Sequence, residues 1–425
     1  MKHRIWALLP FFVFLVFFAG AGIISNDFYS MPAYVAFIIA LFIAFLQNRR
    51  MSFDEKLKIV AKGTGDVNII TMVLIFLVAG AFSGIVSAAG GVESTVNLGL
   101  SFIPANLMVV GLFVIGCFIS LSMGTSVGTV TALAPIALGV ATQTGFPVAV
   151  CVGATVCGAM FGDNLSIISD TTIAAVRTQG CEMRDKFKQN FFIVLPAAVI
   201  TIIVFLIRTS SLTTSTDVGS YNFIEVIPYL VVLIGALIGL NVFLVLFIGI
   251  VLSMIVGIYN GSFTFMESFG IIGEGMTSMF EISIISIIVA CMVSLIKENG
   301  GISLIIDTIE RTVKGKRGAE LGIGILVLLV DLCTANNTVA IVMAGPVARE
   351  IAEKFGVSRK RAASILDIFA SVGQGIIPYG AQLLTAAALV GISPIEIIPN
   401  LYYPFLMLIC VLLFIFFRPQ KGGRD

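Results

Sequence analysis

The sequence predicts an all-α polytopic membrane protein: about ten transmembrane helices and two re-entrant hairpins, arranged as two inverted repeats with broken helices. Three observations carry that prediction. The 425 residues are 58% hydrophobic and 12% charged, with a mean hydropathy of +1.08, whereas a soluble domain carries roughly 25% charged residues. Apolar runs of about 20 residues, enough to cross a hydrocarbon core, recur along the whole chain. Finally, glycines and prolines repeat at one fixed spacing, which marks an internal duplication. Pro135 and Pro346 differ by 211, as do Gly145 and Gly356, Gly162 and Gly373, and Gly180 and Gly391.

Taken in order, the basic start of "MKHRIWALLPFFVFLVFFAGAG" would suit a signal peptide, but its apolar run is longer than a typical h-region. Residues 5–24 therefore read as a first crossing. Further crossings read as 32–47, 67–89, 146–180 (interrupted), 190–208, 223–239, 241–258, 279–297, 362–392 (interrupted) and 399–417. The long stretches 100–143 and 319–355 are punctured by "GTSVGT" (124–129) and "CTANNT" (333–338). Each reads as two half-length helices meeting at a tip, because irregular backbone at membrane depth is tolerated only inside protein or beside water. Stretches 52–64 and 302–317, where Lys and Arg recur, read as amphipathic helices on the cytoplasmic surface. The predicted organisation is N-terminal transmembrane helices over 1–50, repeat 1 over 51–215 and repeat 2 over 216–425. Five crossings per period, an odd number, turn the second copy upside down, as in secondary transporters.

Charge supports this topology. With the N-terminus in the cytoplasm, 24 of the 25 Lys and Arg fall in cytoplasmic segments, Lys2, Arg4, Lys56, Lys186, Arg361, Arg418, Lys421 and Arg424 among them. Arg208 is the exception. By the positive-inside rule this predicts a multi-pass protein of the inner membrane with both termini cytoplasmic.

Several functions are disfavoured. A net charge of +1 gives no footprint for nucleic acid, and the seven cysteines show no ligand spacing for a metal or a disulfide framework. No Walker A loop or TVGYG-like filter occurs, which argues against direct ATP drive and against a channel. The lone histidine, His3, has no nucleophile to serve. The sequence therefore predicts neither an enzyme nor a cofactor.

The polar stretch "GDNLSIISDTT" (162–172) interrupts one of the most apolar regions. A helix beginning near Phe146 is expected to reach Gly158–Gly162, unwind, and restart near Thr171. Unwinding frees carbonyls that suit a cation and amides that suit an anion. Asp163 adds a carboxylate, and Asp170 with Thr171 and Thr172 reads as an N-cap. An ionisable group within a crossing is a functional-site hypothesis by default. The plainer alternative is that Asp170 only caps and Asp163 only satisfies freed amides.

The matching break "GQGIIPYG" (373–380) is neutral: Gln374 stands where Asp163 does, and Ala381 where Asp170 does. At the tips, Thr125, Ser126 and Thr129 face Asn336, Asn337 and Thr338 as neutral groups able to replace an ion's hydration shell or grip a carboxylate. Small-residue helix packing explains the glycines there but not the Asn-Asn pair. Asp331 and Asp367 are candidate proton carriers, while Asp66 and Glu281, near helix ends, read as interfacial.

The stretches Gly124–Thr129 and Phe161–Thr172 resemble the NhaC-type sodium/proton antiporter family, whose members carry Gly-Thr-Ser-x-Gly-Thr followed at this distance by Phe-Gly-Asp-x-x-Ser-x-x-Ser-Asp-Thr-Thr. The resemblance covers roughly 120–175 closely and the rest of the membrane region more loosely. It implies transported Na+ and H+ as partners, with Asp163, Asn164, Ser166, Ser169, Asp170 and Thr171 at the ion site. By family analogy it also implies a homodimer working by an elevator-like motion. Two positions depart from the pattern: Asn164 where lysine is common, and Ile168 where proline is common. Two functions stay open, Na+/H+ antiport and Na+- or H+-coupled transport of an amino acid or carboxylate, a small organic solute.

Overall fold

The computed structural model describes residues 5–25, 32–167, 169–210, 219–238 and 240–417. Lys2, His3, Arg4, Ile168, Arg418, Lys421 and Arg424 lie outside the described residues. Among the described residues every regular element is a helix.

The first half of the chain forms α1 (Leu9–Ser25), α2 (Ala33–Leu46), α3 (Phe53–Thr64), α4 (Val67–Ala88) and α5 (Gly91–Phe102). It continues with α6 (Ala105–Met123), α7 (Ser126–Thr144), α8 (Val148–Leu165), α9 (Asp170–Gln179) and α10 (Met183–Ser210). The second half forms α11 (Phe223–Leu237), α12 (Val242–Tyr259), α13 (Phe265–Ser278), α14 (Phe280–Glu298) and α15 (Gly301–Thr312). After these come α16 (Gly315–Thr334), α17 (Asn337–Phe355), α18 (Arg359–Ile376), α19 (Ala381–Val390), α20 (Pro394–Ile397) and α21 (Tyr402–Phe417).

The spacing of 211 carries α7, α8 and α9 onto α17, α18 and α19, end for end. The recurrence also reaches further towards the N-terminus than the glycine pattern does. Ser52 and Glu55 form a capping box at the start of α3, and Thr264 and Glu267 form one at the start of α13, each with the side chain of one residue satisfying the backbone amide of the other. Hydrogen bonds from the Ser52 backbone amide and hydroxyl hold the exposed Glu55 carboxyl below the usual carboxylate range.

The packing is crossed between the halves. Helix α14 of the second half packs against α2 and α3 of the first, and α4 of the first half packs against α12 and α13 of the second. A Cβ at Gly80 of α4 would collide with the Gly275 carbonyl of α13, so the two backbones approach as closely as glycine allows. Likewise α9 packs on α17 and α19 on α7.

Eight described helical stretches are long and apolar enough to cross a membrane, or nine with the bent pair Pro394–Asn400 and Tyr402–Phe417 taken as one span. The polytopic all-helical class is as expected, but the spans are apportioned differently. Tyr34–Leu46 and Phe223–Gly235 are short for crossings, and both arms of the first hairpin are long. Helices α6 and α7 have 19 residues each, about 28 Å, so the expectation of half-length arms is wrong. The tip sequences supply a turn and a cap, not an early end to either helix. The second surface helix also stops sooner than expected: α15 ends at Thr312, and Lys316 and Arg317 belong to α16.

Two cationic side chains read as cytoplasmic are buried at helix ends with their charge satisfied. Lys56 donates to the carbonyls of Phe45 and Gln47 at 2.8 and 2.6 Å. Arg361 pairs with Glu320 at 2.8 Å and lies over the Phe414 ring at 4.1 Å.

Candidate functional site

Both hairpin tips turn through a left-handed residue. At the first, Gly124 (φ 69°) ends α6, and Thr125 caps α7 by accepting from the Gly128 amide at 3.3 Å. At the second the left-handed residue is Ala335 (φ 50°), and Asn336 caps α17 by accepting from the Val339 amide at 3.0 Å. The caps satisfy amides that a helix start leaves free.

The first helix break lies further along than the glycines indicated. Helix α8 runs to Leu165, so Asp163 and Asn164 sit in its last turn, and among the described residues only Ser166, Ile167 and Ser169 between α8 and α9 depart from helical structure. Gly158 and Gly162 do not unwind it. A Cβ at either position would strike the backbone of α6, at Phe113 O and Cys117 O, so these glycines serve close helix packing. Ser169, not Asp170, is the N-cap of α9, and Asp170 is its first residue. The second break, 377–380, follows the same plan, with Gln374 in the last turn of α18 and Gly380 before α19.

Tips and breaks meet around one cavity of about 140 Å³. Its walls include Thr125, Ser126, Asp163, Ser169, Asp170 and Thr171 from the first half, and Asn336, Asn337, Thr338 and Gln374 from the second. The carboxylate of Asp163 is buried in that wall. Ser126 donates to one carboxylate oxygen at 2.9 Å and Ser169 to the other at 2.6 Å, with the Thr171 hydroxyl 2.9 Å from that of Ser169. Gln382 Nε2 donates to Ser126 at 3.0 Å. The Gln374 amide lies 2.8 Å from that of Gln382. The other terminal atom of the Gln374 amide lies 3.2 Å from Asp331 Oδ1. A chain of polar contacts thus runs from Asp163 to Asp331 across both halves.

Five of the expected residues are not in the cavity wall, Asp367 among them. Asn164 turns away to donate to Ser371 at 2.7 Å and to Asp367 at 3.2 Å. Ser166 donates to the Leu121 carbonyl at 2.8 Å and pins the break to α6. Thr129 donates back to the Thr125 carbonyl at 2.9 Å and braces the tip. Asp331 is fully buried against Gly373, with Oδ2 lacking any hydrogen-bond partner.

Asp367 is no lone acid. Its Oδ2 accepts from Lys186 Nζ at 2.7 Å and from Asn190 Nδ2 at 2.8 Å. This corrects the placement of Lys186 in a cytoplasmic loop: its side chain is 1% exposed, held between α8, α9 and α18. A buried carboxylate requires a partner, and a lysine near the start of α10 supplies it. Lys186 and Asn190 are one helical turn apart and share a face, which the residue count alone conceals. Sequence reasoning also missed Gln382, Thr71 and Ile75 in the cavity wall. The spacing of 211 carries Thr171 onto Gln382 and would have found it. Among the described residues no cluster of three or more His, Cys, Asp or Glu could hold a metal ion.

Opposed hairpin tips and two broken helices around a polar cavity, inside an all-helical multi-pass membrane protein, define a secondary transporter. The family model described as the Na+/H+ antiporter family matches residues 3–209 and 214–418. The chain belongs to that family. It is 25% identical to the Na(+)/H(+) antiporter NhaC of Alkalihalophilus pseudofirmus, over 79% of this chain and 80% of that one. It is 23% identical to a Bacillus subtilis protein named malate-2H(+)/Na(+)-lactate antiporter, over 95% of this chain and 93% of that one. Among solved structures, the Alcanivorax borkumensis YdaH transporter aligns over 82% of this chain and 86% of its own at 14% identity with a TM-score of 0.41, too distant to bear on the site.

Proposed function

We propose that the chain exchanges Na+ for H+ across the inner membrane through the cavity at Asp163. The observation that supports this most directly is a buried carboxylate whose two oxygens are held by Ser126 of the hairpin tip and Ser169 of the helix break. Those hydroxyl oxygens, with Thr171, offer a small hard cation an oxygen shell around one negative charge. A proton and a sodium ion compete for that charge. Antiport follows if the loaded states reorient while the empty carboxylate does not. Asp331 then takes the role of a second proton carrier, reached through Gln374 and Gln382. Thr125 and Asp170 complete the wall on the Asp163 side.

The division into N-terminal helices 1–50 and repeats 51–215 and 216–425 belongs to the same proposal, supported by the recurrence of α4–α10 in α14–α21. The recurrence of α1–α3 in α11–α13 favours drawing the first fifty residues into the first repeat. A homodimer and cytoplasmic termini complete the proposal.

The test is Asp163→Asn in everted vesicles, where sodium-driven proton movement falls by at least about a hundredfold. Exchange at the normal rate would overturn the assignment.

A second reading, coupled transport of a small carboxylate, is favoured by one contact. Asn337 Nδ2, at the N-terminus of α17 in the cavity wall, is buried with no hydrogen-bond acceptor, and an unpaired donor there suits an anion. The relative named for malate and lactate points the same way. Lactate-dependent sodium movement in proteoliposomes, lost in Asn337→Ala, would favour it over simple exchange.

A further inference from the structure

Behind the first break, the ammonium of Lys186 is gripped by three oxygens. Asp367 Oδ2 lies at 2.7 Å, Thr172 Oγ1 at 2.6 Å and the backbone carbonyl of Asn164 at 3.0 Å. All three ammonium donors are thereby used. The set comprises one carboxylate, one hydroxyl, and one carbonyl in the last turn of a half-helix. That donor chemistry binds alkali ions at unwound transporter helices, and it repeats in kind the groups around Asp163, one residue before Asn164. Two more oxygens, Asp367 Oδ1 and Asn190 Oδ1, are buried there without hydrogen-bond partners. The oxygen set is thus richer than one ammonium needs.

We propose that Lys186 is a tethered cation, permanently filling what its surroundings make a second site for a monovalent alkali ion. The positive charge that this site requires is covalently part of α10 and cannot be released. On the exchange reading above, the consequence is one fewer sodium ion per turnover than the first break has cation positions. The site itself does not depend on that reading.

A buried ion pair offers a clean test, because removing one partner leaves an uncompensated charge while removing both need not destabilise. The full chain, purified in detergent, is assayed for bound 22Na+ by equilibrium dialysis as wild type, Lys186→Ala and Lys186→Ala/Asp367→Asn, each alone and combined with Asp163→Asn. The expected result is one additional 22Na+ per chain in Lys186→Ala. The gain persists when Asp163 is replaced and vanishes when Asp367 is replaced. An unchanged count in monodisperse Lys186→Ala overturns the proposal. So does a Lys186→Ala chain that cannot be purified folded in sodium while the Lys186→Ala/Asp367→Asn chain can, since Asp367 would then be unable to recruit the ion. A wild-type count that survives Asp163→Asn would sink the exchange site and leave this inference standing.

Discussion

Gln382 donates to Ser126 at 3.0 Å across 256 residues of sequence, joining the start of α19 to the tip beside Asp163. Neither residue touches the other's half by chance. Helix α19 packs on α7 just as α9 packs on α17, so each break is closed by the opposite hairpin. Ser126 can give its single proton to Asp163 because Gln382 supplies a proton to its oxygen.

Gln382→Leu removes that support while keeping the side chain's bulk. The lost hydrogen bond is worth about 1 kcal/mol, so the half-saturating sodium concentration should rise about fivefold to tenfold with the protein still folded. Sodium titrations of proton movement in proteoliposomes measure it. An unchanged half-saturation, in a preparation where Ser126→Ala does alter it, would remove Gln382 from the site.

Competition for one carboxylate fixes the sign of a pH effect. Protonated Asp163 has no charge to offer sodium, so the half-saturating sodium concentration should increase as pH falls. Where the protonated form dominates the slope is about tenfold per pH unit, the linkage expected for one proton. Initial rates at a series of external pH values test it, and a half-saturation indifferent to pH would mean that the two ions use separate groups.

The two tips differ in strain. Gly124 and Ala335 occupy equivalent left-handed positions, and Ala335 carries a Cβ there. That conformation costs a non-glycine residue roughly 1–2 kcal/mol, so Ala335→Gly should raise the thermal midpoint in detergent by about 1–2 °C in a chain of this length. The mirror change, Gly124→Ala, should lower it. A destabilised Ala335→Gly would show that the alanine methyl group contributes more by packing than its backbone costs.

Much of this was legible in the residues. The 211 spacing located both tips and both breaks, and ten of the residues singled out for their polarity in an apolar context line the cavity. Burial of a carboxylate, hydroxyls and amides is costly enough to betray a site. Harder to read was the division of labour among glycines. Gly158 and Gly162 have the composition of a helix break but serve helix contact, since only the facing backbone of α6 distinguishes the two uses. Lys186 was misread for a related reason. Charge counting treats every lysine as seeking water, whereas this one finds its counter-charge on α18, 181 residues further along. The family resemblance placed Asn164 beside Asp163 at the ion site. Successive residues on a helix point about 100° apart, and it faces the ion pair instead.

The crossed bracing has a consequence for how such a molecule came to exist. Because α4 is covered by α12 and α13, and α14 by α2 and α3, a solitary half would expose the very surface that its sister conceals. A gene encoding just one half could have yielded a working product only as a pair of separate polypeptides clasping each other. Joined in a single strand, the two members are free to differ, and they do, with an acid at position 163 and an amide at 374.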